Sequence, residues 1–442
     1  MEKKYIIPLA WMMGLFVSPE ALFLQGSVTG ISGFGFIFLL ATGLIIHGFN
    51  TTGTTPTGDQ GATPSGEIHL LKDVWGPFAA SWILLMARPV VAVCLATAVL
   101  VTSGFVFNEV FLYWFPNFGF AALVLAVLFT VNLAGPQAAA VAQILFTSTA
   151  IVGLTSISIV GLFTWSQAPA ASHVMLPITS SQGIALVLIA FVGYDMLRYT
   201  DHKLDQIQLR TVVKTGLIAG GILFTLWNVA GLLFVTPSRL MNTSIPHILV
   251  AKAILGPTGR IIIGVVAIAG ACAAVNYLYQ TVSRMMALMT HHHLLPGFFA
   301  RSATRQRFAM VGLAATTGLL MTMGFAGSDL LDVSIRAGLI LWLVFYALIH
   351  LAYLLQRNRN RQQEYGRSTA KRCAMHVIVT LTMMVMATIL VATDGAPIVL
   401  LKTISNILAM AAGFAGGGLL LAKGFAIKTT LQPAEMKKGA QP

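Results

Sequence analysis

The chain has 442 residues, 57% of them hydrophobic and 9% charged, with a mean hydropathy of +0.82. A water-soluble domain does not carry that balance, whereas a polytopic membrane protein does. The net charge of +13 is no sign of a nucleic-acid partner, because the cytoplasmic loops of membrane proteins accumulate Lys and Arg.

Segments of roughly 20 apolar residues, enough to cross a hydrocarbon core of about 30 Å, fall near 5–24, 30–50, 77–105, 118–134, 138–165, 182–199, 211–235, 258–288, 308–326, 330–355, 373–392 and 397–422. The expectation is therefore an all-α integral membrane bundle of twelve transmembrane helices. The first segment follows Glu2-Lys3-Lys4 and carries Pro8, Pro19 and Glu20 without a small-residue cleavage site, so it reads as a retained span. The fourth is short, with Gly135-Pro136 as the only break before the fifth. Residues 51–66, rich in Thr, Gly and Pro, read as a flexible polar loop. The later loops 198–214, 291–307 and 357–372 are basic. With Arg88, Arg239, Lys252, Arg260, Arg284, Arg336 and Lys402 set aside, 20 of the 27 basic residues lie on one side of a single topology. That side is the cytoplasm, which puts both termini inside a plasma or inner membrane. Arg357 to Arg361 reads as a positive-inside anchor or as a strip for anionic headgroups. His291-His292-His293 reads as an interfacial loop, since adjacent histidines on a helix point in different directions. Cys94, Cys272 and Cys373 support neither a disulfide framework nor a metal site, and no cofactor is expected.

Of the 14 acids, Glu20 and Asp195 lie deep in apolar runs, and Arg88 is the one base so placed. A carboxylate at mid-bilayer costs about 2.5–3.5 kcal/mol, so it persists only facing protein or a water-filled cavity. Asp195 follows Gly193 halfway along the sixth span, which predicts a broken helix lining a substrate site. In the first span Gly14 lies between Pro8 and Pro19, which predicts a second break. Breaks in the first and sixth spans are what a five-plus-five inverted repeat requires.

Four stretches carry a family resemblance. Gly14-Leu15-Phe16-Val17-Ser18-Pro19 is similar to the second half of Gly-Ser-Gly-Ile-Phe-x-x-Pro. Residues 65–77, ending in Trp75-Gly76-Pro77 and followed by Trp82, are similar to a Gly-Gly-x-Tyr-x-Tyr…Gly-Pro start of span three. Phe191-Val192-Gly193-Tyr194-Asp195 is similar to Phe-x-Gly-Phe-Glu. Asn276 and Ser283-Arg284, leading to Leu294-Leu295-Pro296, resemble the eighth span and its exit. In this order the four resemble the amino acid/polyamine/organocation transporter superfamily, of which the chain looks like a divergent member. The resemblance implies a single transporter unit over 1–442, with repeats at 1–165 and 182–355, two further helices at 373–422 and a cytoplasmic tail at 423–442. Two departures bear on the substrate. Met12-Met13-Gly14 replaces the Gly-Ser-Gly whose amides receive an α-carboxylate in the family, and Thr149 stands where proton-coupled members carry a lysine.

The resemblance and the buried charges together select Met13, Gly14, Phe16, Glu20, Arg88, Ile189, Phe191, Gly193, Asp195 and Asn276 as substrate-binding candidates, with Asp195 and Glu20 as coupling groups. Asp195 reads as a counter-charge or proton carrier, or as a packing acid; Glu20 reads as functional or as a helix cap. Arg88 reads as the ion-pair partner of Glu20 or Asp195, or as the binder of an anionic solute in place of the lost glycine cradle. Trp11, Phe16, Phe191 and Tyr194 read as gates or as core. The function implied is a secondary transporter, not an enzyme, with an amino acid or amine as its small-molecule substrate. The alternatives are an organic-anion carrier, and a transport-dead relative acting as a sensor or partner subunit. Coupling ion, direction and oligomeric state are left open.

Overall fold

The computed structural model describes residues 3–53, 64–167, 181–200, 204–243, 245–295, 302–324, 328–359 and 367–435. Most of the 51–66 loop, Pro296 and the end of the tail lie outside these residues, as do large parts of the two basic loops 291–307 and 357–372. Every regular element among the described residues is helical. Hydrocarbon offers no partner to a backbone N–H or C=O, and a helix satisfies its own.

The order is α1 (Lys3–Phe16), α2 (Pro19–Ser32), α3 (Phe36–Gly53), α4 (Pro64–Leu85), α5 (Arg88–Val110), α6 (Asn117–Ala134), α7 (Pro136–Phe163), α8 (Ser181–Ala190), a short 3₁₀ helix (Tyr194–Tyr199), α9 (Gln206–Phe234), α10 (Pro237–Met241), α11 (Pro246–His291), α12 (Ser302–Thr322), α13 (Asp329–Arg359), α14 (Arg367–Ala392) and α15 (Pro397–Glu435). Among the described residues, ten stretches are long and apolar enough to cross a membrane, which makes the chain a multi-pass membrane protein. Exposed Leu123, Val127, Val141, Leu145, Leu381 and Val385 lie on α6, α7 and α14, as a lipid-facing surface requires. α11 lies at the centre, packed on α7, α5, α1 and α12.

Three interruptions depart from straight spans. The first falls at Val17-Ser18 between α1 and α2, one turn beyond Gly14, the expected centre of the break. Gly14 is helical, and a Cβ there would lie 2.1 Å from the Gln143 amide nitrogen, so its role is close packing against α7. The break forms at Ser18 because Ser18-Pro19-Glu20 is a helix start: the Ser18 hydroxyl accepts from the Ala21 N–H at 3.2 Å, and Pro19 opens α2. The second interruption, at Phe191–Gly193 before the 3₁₀ helix, lies where the sequence placed it, with Gly193 at φ 104°. The third divides the expected third span at Met86-Ala87. Pro89, the second residue of α5, has no N–H to reach the Leu85 carbonyl. Gly76 (φ 80°) and Gly256 (φ 60°), each followed by proline, kink α4 and α11. α15 runs on to Glu435, past residue 423, where a tail was expected to begin.

Candidate functional site

The two broken spans meet in the core. Leu15, at the end of α1, lies so close to Gly193 that a Cβ there would sit 2.3 Å from the leucine side chain. The rings of Phe16 and Phe191 meet edge to face at 5.1 Å. The backbone freed at Gly193 is satisfied by tyrosines: its N–H donates to the Tyr346 hydroxyl at 3.3 Å, and its carbonyl accepts from the Tyr277 hydroxyl at 2.8 Å. Gly270 of α11 backs the other break, where an added Cβ would fall 2.0 Å from the Val17 carbonyl oxygen.

Beside the break in the sixth span is a closed set of four charges. Arg88, 0% exposed, donates to Glu67 at 2.7 Å and to Asp195 at 2.5 Å. Arg198 pairs with the second oxygen of Glu67 at 2.9 Å and donates to the Asp195 backbone carbonyl at 3.0 Å. The Tyr199 hydroxyl donates to Glu67 at 3.0 Å, while the Tyr346 hydroxyl and the Trp342 indole donate to the other Asp195 oxygen at 2.7 and 3.2 Å. The Phe345 ring lies 4.0 Å from the Arg88 guanidinium. Two cations and two carboxylates balance, and buried charge survives only when balanced and hydrogen-bonded in this way.

Above the breaks lies a cavity of about 910 Å³ whose floor includes Leu15, Pro19, Glu20, Ile189, Val192 and Trp342. The lining continues along α2 to Ile31 and includes Met241, Ile245 and Thr393. Glu20, Glu109, Asp329, Asp332 and Asp394 line it against a single arginine, Arg336. Arg336 pairs with Asp394 at 3.0 Å and with Asp332 at 3.6 Å, and Glu109 with Arg260 at 2.9 Å. The lining therefore carries more negative than positive charge. One Glu20 oxygen and both ring nitrogens of His247 are buried there without a hydrogen-bond partner among the described residues.

Of the sequence candidates, Glu20 and Ile189 line the cavity. Asp195 and Arg88 lie beneath it, bonded to each other, with Trp342 between Asp195 and the cavity floor. Phe16, Phe191 and Gly193 pack the core between the broken spans, Gly14 packs against α7 and α11, and Met13 is buried in the same core. Asn276 is in a separate amide network: it bonds to Asn132 at 2.9 Å and to Gln143 at 2.8 Å, and Gln143 and Thr147 in turn donate to the Ala10 carbonyl at 3.3 and 3.0 Å. Thr149 is partly exposed and bonds within its own helix. Two charges that the sequence placed at a span start and in a basic loop, Glu67 and Arg198, lie in the interior instead, buried and mostly buried respectively. Glu67 is 3% exposed and Arg198 12%; Glu67 was hidden in the sequence by the polar loop before it, and Arg198 by the basic stretch after it. His292, beyond the end of α11, stacks edge to face on His69 at 4.5 Å. Partial burial and the neighbouring His69, His291 and Lys72 lower its pKa to about 4. Among the described residues, no group of three or more His, Cys, Asp or Glu side chains is placed to hold a metal ion.

Long apolar helices, two of them interrupted where they meet beside an acidic cavity, are the framework of a multi-pass membrane transporter. The amino acid permease family matches residues 9–417, and the chain belongs to that family, within the amino acid/polyamine/organocation superfamily. A search of the curated proteins finds no match.

Proposed function

We propose that the protein is a secondary transporter of a small solute carrying an ammonium group, an amino acid or an amine, and that it works by alternating access. The observation that carries this reading is the cavity. Its roughly 910 Å³ lies within the size range of small-molecule sites; it reaches the two broken spans, and a neutral ionic cluster lies behind its Trp342 wall. Glu20, at the start of α2 and partly without hydrogen-bond partners, is the group placed to receive the ammonium. Arg88 has both carboxylate partners in place and no exposed surface, so the geometry favours its ion-pair role over capture of an anionic solute.

Twelve spans with the first ten in a five-plus-five inverted repeat accord with this reading. The first and sixth spans are both broken, and the third and eighth both kink at Gly-Pro, at Gly76 and Gly256. The distribution of basic residues supports cytoplasmic termini in a plasma or inner membrane, and the cavity, lined by α2, then lies on the outer side of the breaks. The test is uptake by proteoliposomes of a panel of amino acids, amines and small carboxylates. Accumulation of an ammonium-bearing solute is expected. Accumulation of carboxylates alone would overturn the substrate class, and a panel compound that raises the melting temperature without flux would favour the sensor reading.

A further inference from the structure

Five polar side chains that the site does not use form one hydrogen-bonded line into the broken sixth span. His376 on α14 meets His350 on α13, Nδ1 to Nδ1, at 2.8 Å. His350 Nε2 meets the Asn50 side-chain oxygen on α3 at 2.7 Å. The Asn50 amide donates to the Tyr194 hydroxyl. Tyr194 meets His47 Nδ1 at 3.3 Å, and His47 Nε2 meets the Leu188 carbonyl at 3.0 Å. His47, Asn50, Tyr194 and His350 are buried, and His376 is half-buried.

The partners fix the protons. A carbonyl only accepts, so His47 carries its hydrogen on Nε2 and receives the Tyr194 hydroxyl on Nδ1. The Asn50 oxygen likewise only accepts, so His350 carries its hydrogen on Nε2 and its Nδ1 is bare. The contact between the two Nδ1 atoms is then made by a hydrogen on His376. Every donor points the same way, from α14 toward the break. A proton added to His376 Nε2, the ring nitrogen outside this line, makes an imidazolium that shares its Nδ1 hydrogen with His350 and breaks no bond of the line. A proton added to His47 would instead oppose the Tyr194 hydroxyl. The pair at the α14 end is therefore the place where the line accepts charge.

The groups around the pair bear on that charge. Tyr353 of α13 lies 5.4 Å from His376, and Arg357, further along α13, donates to Cys373 at 2.9 Å. Lys371 lies earlier on α14, and α3 contributes Asn50 and, behind it, His47. Tyr194 stacks on Tyr346 at 5.8 Å, which leads to Asp195, Arg198, Arg88 and Glu67. Residues 182–190 of α8 offer no titratable side chain.

We propose that the His350–His376 pair is a proton-binding site whose occupancy is relayed through Asn50 to Tyr194 in the broken span, and that solute movement is thereby linked to protons. The inference rests on the transport reading for its consequence, but not for the site itself. Two measurements separate the two. In full-length protein in nanodiscs, nitrogen NMR of labelled histidine between about pH 8 and pH 5 should show the His350 and His376 rings shifting together in one transition, which His376→Gln removes from His350 as well. Rings that titrate independently, or not at all, overturn the proton site whatever the protein transports. In proteoliposomes, with the solute found in the uptake panel, the ratio of uptake driven by an inward proton gradient to counterflow without a gradient should fall about tenfold in His376→Gln and His350→Gln. An unchanged ratio refutes the linkage, whether the separate rates fall or hold. If no panel solute moves, the transport reading has failed, and the spectra still decide the site.

Discussion

The four-charge cluster beneath the cavity gives the most direct test of the site's electrostatics. Removing Arg88 alone leaves Asp195 held by the Tyr346 and Trp342 donors but facing no side-chain cation in contact, whereas Glu67 keeps Arg198 and Tyr199. A buried ion stripped of its partner costs about 3–5 kcal/mol, so Arg88→Met and Asp195→Asn should each lower stability by that order. The double variant removes one cation and one anion and keeps the Glu67–Arg198 pair whole. Its cost should fall well below the roughly 6–10 kcal/mol that two independent losses would give. The assay is thermal unfolding of the four proteins in one detergent, each with and without the transported solute. Additive losses would refute the balanced cluster. A double variant that regains stability yet no longer responds to solute would refute the assignment of Arg88 to ion pairing and restore the anion-binding reading.

Glu20→Gln should leave the melting temperature close to that of the parent and weaken solute affinity roughly ten- to a hundredfold, the worth of a charge-assisted hydrogen bond; unaltered affinity would remove Glu20 from the site. Gly270→Ala places a methyl group against the Val17 carbonyl, and a backbone atom at a break does not swing aside, so the upper part of the usual 1–3 kcal/mol overpacking cost is expected. Gly14→Ala, which meets the movable Gln143 amide, should cost less in the same melting series, and the reverse order would contradict the packing account. Ser18→Ala removes the cap of α2 and should cost about 0.5–2 kcal/mol. Cysteines placed in the basic segment 357–372 should react with an impermeant reagent only after the membrane is permeabilised, and labelling from outside intact cells would invert the proposed topology.

Much of this architecture was legible because lipid makes certain residues expensive. Gly193 and Asp195 announced the break in the sixth span, and Arg88 announced an ionic site. The first break was misplaced by one turn because glycine was weighed above the Ser18-Pro19-Glu20 helix start, a signal that was present in the sequence. The third break had its own signal in Pro89, beside an arginine that drew attention to its charge and away from its backbone. Glu67 and Arg198 were legible only as a span-end and a loop charge, since what covers Glu67 is Arg88 and Arg198, 21 and 131 positions distant. The histidine line was beyond sequence reasoning altogether: His47 and His350 share no motif, and their connection through Asn50 exists only when α3, α13 and α14 pack together. The cavity belongs to the same class, because its acids come from four separate segments.

The four charges are divided evenly between two parts of the fold. Glu67 and Arg88 belong to α4 and α5, while Asp195 and Arg198 belong to the 3₁₀ helix. Two ion pairs, Arg88–Asp195 and Arg198–Glu67, cross between these parts, and one, Arg88–Glu67, stays within a part. A displacement that draws the 3₁₀ helix away from α4 and α5 therefore splits the cluster into two halves of zero net charge. Water entering the gap would solvate an intact Arg88–Glu67 pair on one side, and on the other Asp195 and Arg198, which are joined only through the Asp195 backbone carbonyl. Such a seam parts at far lower electrostatic cost than one that segregates like charges, and high salt would ease its opening only weakly.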